Sequence, residues 1–305
     1  MPFSHHSHSG QFCPGHAVNT LEEVVLTAIS RKLRVFGLSE HMPRHEVDFY
    51  PEEKDTGASL ESHFENEAAY IAEAIRLREK YKDRISLPIG FESDWIRPES
   101  RELIERSITS HPYDYFVGSV HHVHTIPIDY DQGMYDAARQ RSGDSDELLF
   151  QDYFDAQLEM LQAIKPPVVG HFDLIRLKSA NPNGSFRHMP GVWQRIVRNL
   201  DFVATYGGIL EINTAALRKG MAEPYPKQEI CQAAQDKGIG FCLSDDSHGV
   251  SQIAFGYLEA RLFLQRCQIS HLYFVKHTDK ASTIADPRFP TLEMSLANVN
   301  DLMWT

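Results

Sequence analysis

Cysteine is scarce, with residues only at positions 13, 231, 242 and 267 of a 305-residue chain. None forms a CxxC pair, so neither a cysteine zinc module nor a disulfide framework is indicated. Cys231, Cys242 and Cys267 lie in apolar or helical contexts and read as small buried hydrophobes. Basic residues are also short: 30 Lys and Arg face 42 Asp and Glu, a formal charge of −12. A broad nucleic-acid surface needs basic patches, so no nucleic-acid partner is expected. A small anionic substrate stays open, because bound cations can reverse the field inside a pocket. No apolar run approaches the roughly 18 residues that suggest a membrane span. The opening MPFSHHSHSG lacks a basic flank followed by an apolar stretch, so a secretory signal is not expected and the cytosol is the expected location. The glycine-rich phosphate turns GxGxxG and GxxxxGK[ST] are absent, which counts against a Rossmann-like or P-loop sheet. No clear Ser-His-Asp arrangement appears either.

Histidine is what the chain has in abundance, 16 residues in all. They follow a pattern. Six short apolar runs each end in polar, metal-capable residues. Arg34 to Leu38 reaches Ser39-Glu40-His41, and Ser86 to Phe91 reaches Glu92-Ser93-Asp94. Tyr115 to Val120 reaches His121-His122, and Val168 to Gly170 reaches His171-Phe172-Asp173. Gly208 to Leu210 reaches Glu211-Ile212-Asn213, and Gly240 to Leu243 reaches Ser244-Asp245-Asp246-Ser247-His248. Helical spacing fills the intervals at Leu21–Arg31, Leu60–Tyr81, Glu147–Ile164, Val192–Tyr206 and Lys227–Lys237. Gly207-Gly208 and Lys237-Gly238 read as helix stops. The polar segments Asp129–Asp146 and Leu177–Gly191 read as long loops. Strands alternating with helices predict a mostly parallel sheet. Polar residues gathered after the strands match the active-site face of a β/α barrel. No linker or internal repeat appears, so residues 1–305 are read as one domain.

At the start, His6-Ser7-His8 places two imidazoles on one side of an extended segment, where both can reach one cation. HxH alone is weak. Its weight comes from the other strand-end histidines and from the carboxylates Glu92, Asp173 and Asp246. His5-His6-Ser7-His8 is not a six-histidine run, and ordinary sequence follows it.

These motifs, in this order, resemble the polymerase-and-histidinol-phosphatase (PHP) family, and they extend over most of the chain. The resemblance implies a distorted (β/α)7 TIM-like barrel, an α/β fold, with up to three divalent metal ions. Zinc, iron and manganese all suit imidazole and carboxylate ligands. Carried onto this sequence, His6, His8, Glu92 and Asp246 hold one metal. Glu92 bridges to a second, held by His121 and His171. His16, His41 and His248 hold a third. Glu92, Asp246 and His248 are the expected catalytic residues. Phe12-Cys13-Pro14-Gly15-His16, the stretch Gly118 to Val123, Ile126 to Asp129 and Glu211 to Arg218 resemble the histidinol-phosphate phosphatase branch. That branch implies a phosphomonoesterase acting on L-histidinol phosphate in histidine biosynthesis, through a metal-bridging hydroxide. Arg218 and Arg176 are expected to grip phosphate through paired N–H donors. Asp94 or Asp129 is expected to receive the substrate ammonium or imidazole, and Asp173 to orient a liganding imidazole. Asn213 is read as orienting phosphate or pinning a turn. His122 and His124 receive no role. The rival readings are a phosphodiesterase of the same class and a metal-binding protein without turnover. Oligomeric state stays open.

Overall fold

The computed structural model describes residues 2–278 and 286–304. A parallel pair, β1 (Phe3–Ser4) and β2 (Val35–Phe36), brackets helix α1 (Leu21–Ser30). Thr20 starts α1: its hydroxyl accepts the Glu23 N–H at 3.2 Å, and the Glu23 carboxylate accepts the Thr20 N–H at 2.7 Å. That reciprocal cap satisfies two donors that the first helical turn leaves free. Leu21, Val24, Val25 and Ala28 form the buried face of α1.

The chain continues through a short α2 (Pro51–Asp55) and a long α3 (Leu60–Tyr81) to β3 (Glu92–Asp94). Helix α4 (Ser100–Ser110) leads to β4 (Val117–Ser119), then to a small hairpin of β5 (His122–Val123) and β6 (Ile126–Pro127). Helices α5 (Gln132–Arg141) and α6 (Asp146–Ile164) precede β7 (Val168–Val169), and α7 (Pro190–Tyr206) precedes β8 (Ile209–Asn213). After α8 (Ala215–Arg218) and α9 (Gln228–Gln235) come β9 (Phe241–Ser244) and α10 (Tyr257–Arg266). An antiparallel hairpin, β10 (His271–His277) and β11 (Leu292–Asn298), closes the described chain.

Strands β3, β4, β7, β8 and β9 form a parallel sheet in that order. Single parallel bridges at Leu38–Ile89 and His41–Glu92 extend the β2 segment alongside the β3 segment, and one at Ser7–Ser247 joins the β1 segment to the end of β9. The fold is therefore mixed α/β with a parallel sheet whose strand ends lie side by side. Strand β8 is buried throughout. Its Ile212 packs in the apolar core, while Glu211 and Asn213, two residues apart, share the other face.

Helix stops fall where glycine was expected to place them: Gly207 ends α7 at φ 76°, and Gly238 follows α9 at φ 73°. The segment Asp129–Asp146 departs from its expected loop, because α5 occupies its middle. Asp131 caps that helix by accepting the Met134 N–H at 2.7 Å. Only Tyr135 and Ala138 of α5 are buried, so its polar surface hid the helical period. All four cysteines are free, and Cys231, Cys242 and Cys267 are buried.

Candidate metal centre

The strand ends bring the expected histidines to one point. Glu92, on β3, is at its centre and is 1% exposed. Its Oε2 lies 3.2 Å from His6 Nε2, 3.5 Å from His8 Nε2 and 3.1 Å from His41 Nδ1. Its Oε1 lies 2.9 Å from His171 Nε2 and 3.3 Å from His121 Nε2. One carboxylate thus faces two groups of imidazoles with separate oxygens. Asp246 Oδ1 stands 3.8 Å from His6 Nε2 and 3.6 Å from His8 Nε2. The rings of His8 and His41 are 4.4 Å apart, and those of His8 and His248 4.5 Å. His16, at the exposed rim, lies 4.6 Å from His248 and 5.5 Å from His41, ring to ring.

These atoms point at common centres rather than at one another. His6 Nε2, His8 Nε2 and His41 Nδ1 are buried and have no hydrogen-bond partner despite their short distances to Glu92. His121 Nε2 and His171 Nε2 approach to 3.2 Å, two like atoms aimed at one space. Unpaired buried nitrogens are costly unless something else binds them. Imidazole and carboxylate are the donor types that divalent metals take, and three sets fall within ligating reach: His6, His8 and Asp246; His6, Glu92 and His171; and His8, His41 and His248. The residues present fit a metal centre. The electrostatics agree. Burial alone would lower the pKa of His6, but Glu92, Asp246 and Glu211 together raise it well above the usual imidazole value. Burial and the neighbouring His6 push His8 down to about 4. Burial would raise Glu92, yet His6, His121 and His41 hold it well below the usual carboxylate range.

A second layer fixes these side chains. The Glu211 carboxylate lies 3.2 Å and 3.3 Å from His6 Nδ1, and it accepts the His171 backbone N–H at 2.7 Å. Asn213 donates to Glu211 at 2.8 Å and to Asp246 Oδ2 at 3.2 Å. Glu40 accepts from the Ser9 N–H at 2.8 Å and presents its other oxygen 3.8 Å from His8 Nδ1. Asp94 Oδ1 lies 3.3 Å from His121 Nδ1. Carboxylates behind liganding imidazoles fix ring orientation and raise basicity. Sequence reasoning left Glu211 and Glu40 without roles. Their signal was alternation: Glu211 shares a strand face with Asn213, and Glu40 precedes His41 on the opposite side. His171 and Asp246 adopt positive φ, 24° and 49°. Such backbone is strained for residues with a Cβ and persists where surroundings hold it. Glu211 holds the first, and Arg218 the second.

The expected substrate residues separate. Arg218 donates to the Asp245 carbonyl at 3.1 Å and the Asp246 carbonyl at 2.9 Å, which sets its half-buried guanidinium beside the centre. Arg176 does not fit the phosphate role. It is 1% exposed, and its donors are taken by Asp173, the Pro182, Glu223 and Pro224 carbonyls and the Met221 sulfur. Asp94 turns Oδ1 to His121 and to His122, 3.4 Å away, while its buried Oδ2 has no hydrogen-bond partner among the described residues. Asp173 orients no imidazole in this structure; it pairs with Arg176 and accepts the Lys227 N–H. Asn213 serves Glu211 and Asp246, as above. His124 faces away, at 2.8 Å from Asp152. Asp129 is half-buried and has no hydrogen bond or ion pair among the described residues.

Known proteins are similar to this chain over most of its length. A probable histidinol-phosphatase of Schizosaccharomyces pombe is 43% identical over 278 residues, 90% of each chain. The histidinol-phosphatase of Saccharomyces cerevisiae is 33% identical and covers 99% of this chain and 98% of its own. The crystal structure of histidinol phosphate phosphatase from Lactococcus lactis, complexed with zinc, L-histidinol and phosphate, superposes with a TM-score of 0.68 at 20% identity. That likeness spans 90% of this chain and 96% of that one and concerns the fold. The PHP domain itself matches residues 4–215, from the first histidine motif through β8. With its imidazoles and carboxylates gathered at the strand ends, the chain belongs to the PHP-domain family.

Proposed function

We infer that the protein is a metal-dependent histidinol-phosphatase, hydrolysing L-histidinol phosphate to L-histidinol and phosphate, a step of histidine biosynthesis. The observation that carries the metal chemistry is the buried convergence on Glu92. The yeast relatives, matched over most of their length, support the substrate. We read residues 1–305 as one domain, supported by a single apolar cluster from Phe3 to Trp304. The bridges at Ser7–Ser247, Leu38–Ile89 and His41–Glu92 support a distorted seven-stave barrel.

The proposed centre has up to three divalent ions, with zinc, iron and manganese as candidates. His6, His8, Glu92 and Asp246 hold one. Glu92, His121 and His171 hold the second, and His16, His41 and His248 the third. When bound, such ions acidify water toward neutral pH and stabilise charge on a phosphoryl group. The chain's own residues do the rest. Glu92 turns its two oxygens to two separate groups of imidazoles, so it would serve two ions. Asp246 and His248 complete the face nearest Arg218. Arg218 spends two donors on the Asp245–Asp246 turn, which leaves others for phosphate oxygens.

Phosphate release from L-histidinol phosphate, phenyl phosphate and a phosphodiester tests the activity. Turnover is expected to favour L-histidinol phosphate, and preference for the diester would move the protein to another phosphoesterase activity. Arg218→Met is expected to raise KM roughly 10- to 100-fold, the scale of a lost charge-assisted contact, with metal content little changed. An unchanged KM would remove the phosphate grip. Glu211→Gln is expected to weaken metal binding by about 10- to 100-fold, as outer carboxylates typically do. Chelator competition reads this directly, and wild-type affinity in that variant would make Glu211 a spectator.

A further inference from the structure

Helix α6 contributes none of the proposed ligands, yet it grips the segments that bear two of them. It packs against β4, β5 and the single helical turn at Leu174–Arg176, so it touches the chain on either side of His121 and just after His171. Gln157 of α6, 2% exposed, donates to the Phe172 carbonyl at 2.9 Å, one residue past His171. Asn199 of α7 donates to the Gln157 side-chain oxygen at 3.1 Å, which turns the amide nitrogen toward Phe172. Five residues earlier on α6, the Asp152 carboxylate lies 2.8 Å from His124 Nε2, and the Ser142 hydroxyl lies 3.0 Å from the same nitrogen. His124 opens the two-residue turn of the β5–β6 hairpin, whose pairs are His122–Pro127 and Val123–Ile126. The Ile128 N–H continues that ladder to the His121 carbonyl at 2.9 Å.

Both gripped segments are strained. φ is 54° at His124, 64° at Thr125 and 24° at His171. Two-residue hairpins favour positive φ, but asparagine and glycine usually supply it, and a β-branched threonine there is an outlier. Such backbone persists only where its surroundings over-determine it. Glu211 holds the His171 N–H from one side, and Gln157 holds the next carbonyl from the other. Asp152 and Ser142 hold the hairpin turn through the His124 ring.

We propose that α6 sets the spacing of His121 and His171, the imidazoles assigned to the second ion, with Gln157, Asp152 and His124 as positioning residues. The proposal rests on the metal-centre reading. His121 Nε2 and His171 Nε2 approach to 3.2 Å, and a cation shared by them needs each nitrogen held at a set distance. Side chains on loops keep such a distance only when neighbouring groups lock them, and one helix that grips both segments does so. The effect is local to this ion. Among the described residues, no hydrogen bond or ion pair joins α6 to His6, His8, His16, His41, Asp246 or His248.

Zinc-loaded protein titrated with a chelator tests this, with the released equivalents counted beside those of His121→Ala, which lacks one imidazole of the second site. In Gln157→Leu the equivalent weakened in His121→Ala is expected to leave at roughly 10-fold lower chelator concentration, and in His124→Leu at about 3- to 10-fold lower, the lower end of what outer partners contribute. The other equivalents are expected to leave as in the wild type. His124→Gln places an N–H near the position of Nε2 and is expected to restore most of the affinity. A surface residue without a positioning role would make His124→Gln and His124→Leu alike. His124 is on an exposed turn, so its variants keep the test decisive even where Gln157→Leu fails to fold. Equal weakening of every equivalent, or none in the His124→Leu protein, overturns the proposal while the wild-type zinc count, and with it the metal centre, stands. A wild-type protein that binds fewer than two zinc ions overturns the centre and the proposal together.

Discussion

Glu92→Ala is expected to lose bound metal and turnover together, with kcat/KM for L-histidinol phosphate down roughly 1,000-fold or more. The size follows from the geometry. Glu92 faces His6, His8 and His41 through one oxygen and His121 and His171 through the other. Removing it takes an anionic ligand from two proposed ion sites at once. Several kcal/mol of transition-state charge stabilisation depend on such ions, and each ~1.4 kcal/mol is tenfold in rate. Glu92→Gln separates charge from shape. It keeps the volume and one oxygen acceptor, so it is expected to retain more metal than Glu92→Ala while still turning over poorly. Metal analysis of the purified variants, beside phosphate release, makes the comparison. Wild-type metal content and normal turnover in Glu92→Ala would refute a bridging carboxylate. Full metal with no turnover would keep Glu92 in the chemistry but take it out of the metal's hold.

Some of this arrangement was legible in the order of residues, and some was not, for physical reasons. Helix α3 runs over Leu60–Tyr81 as its apolar spacing predicts. That period survives because one face is buried from Glu67 to Tyr81. Helix α5 buries so little that no period is written in it. The residues proposed as ligands are legible because each follows an apolar run, and a parallel sheet brings such positions together. Their supports are less so. Glu211 and His6 are 205 residues apart, and nothing local in either segment announces the pair. The C-terminal hairpin is another example. Val275 of β10 donates to His5 Nε2 at 2.9 Å, while His5 Nδ1 lies 3.2 Å from the Leu243 carbonyl. A histidine beside the metal motif thus serves as a staple between strands, a role its neighbours His6 and His8 would not suggest.

Arg176 illustrates the opposite error, and it carries the largest expected stability effect. Its position just past His171 and Asp173 suggested a phosphate ligand. In the fold the guanidinium is enclosed, with Nε donating to Asp173 at 2.9 Å and Nη2 donating to the Pro224 carbonyl at 2.7 Å. It also lies over the Tyr225 ring at 4.8 Å, and that ring stands 6.4 Å from His171. Arg176 therefore props a wall of the centre from behind. Burial raises the Asp173 pKa above its ordinary value, and Arg176 and the Lys227 N–H oppose that shift. Arg176→Met keeps the length and removes every donor. It leaves Asp173 with the Lys227 N–H alone and takes the guanidinium donors from several buried carbonyls, a loss of about 3–5 kcal/mol for a broken buried pair. A 305-residue chain unfolds with an entropy of roughly 0.6 kcal/mol per degree, which converts that loss to a Tm lower by about 5–8 °C. Below the transition, the folded variant should bind substrate with nearly wild-type KM, because no donor of Arg176 reaches phosphate. A raised KM with an unchanged Tm would reverse the assignment and return Arg176 to the substrate. Both quantities come from one purified protein, so stability and binding cannot be confused.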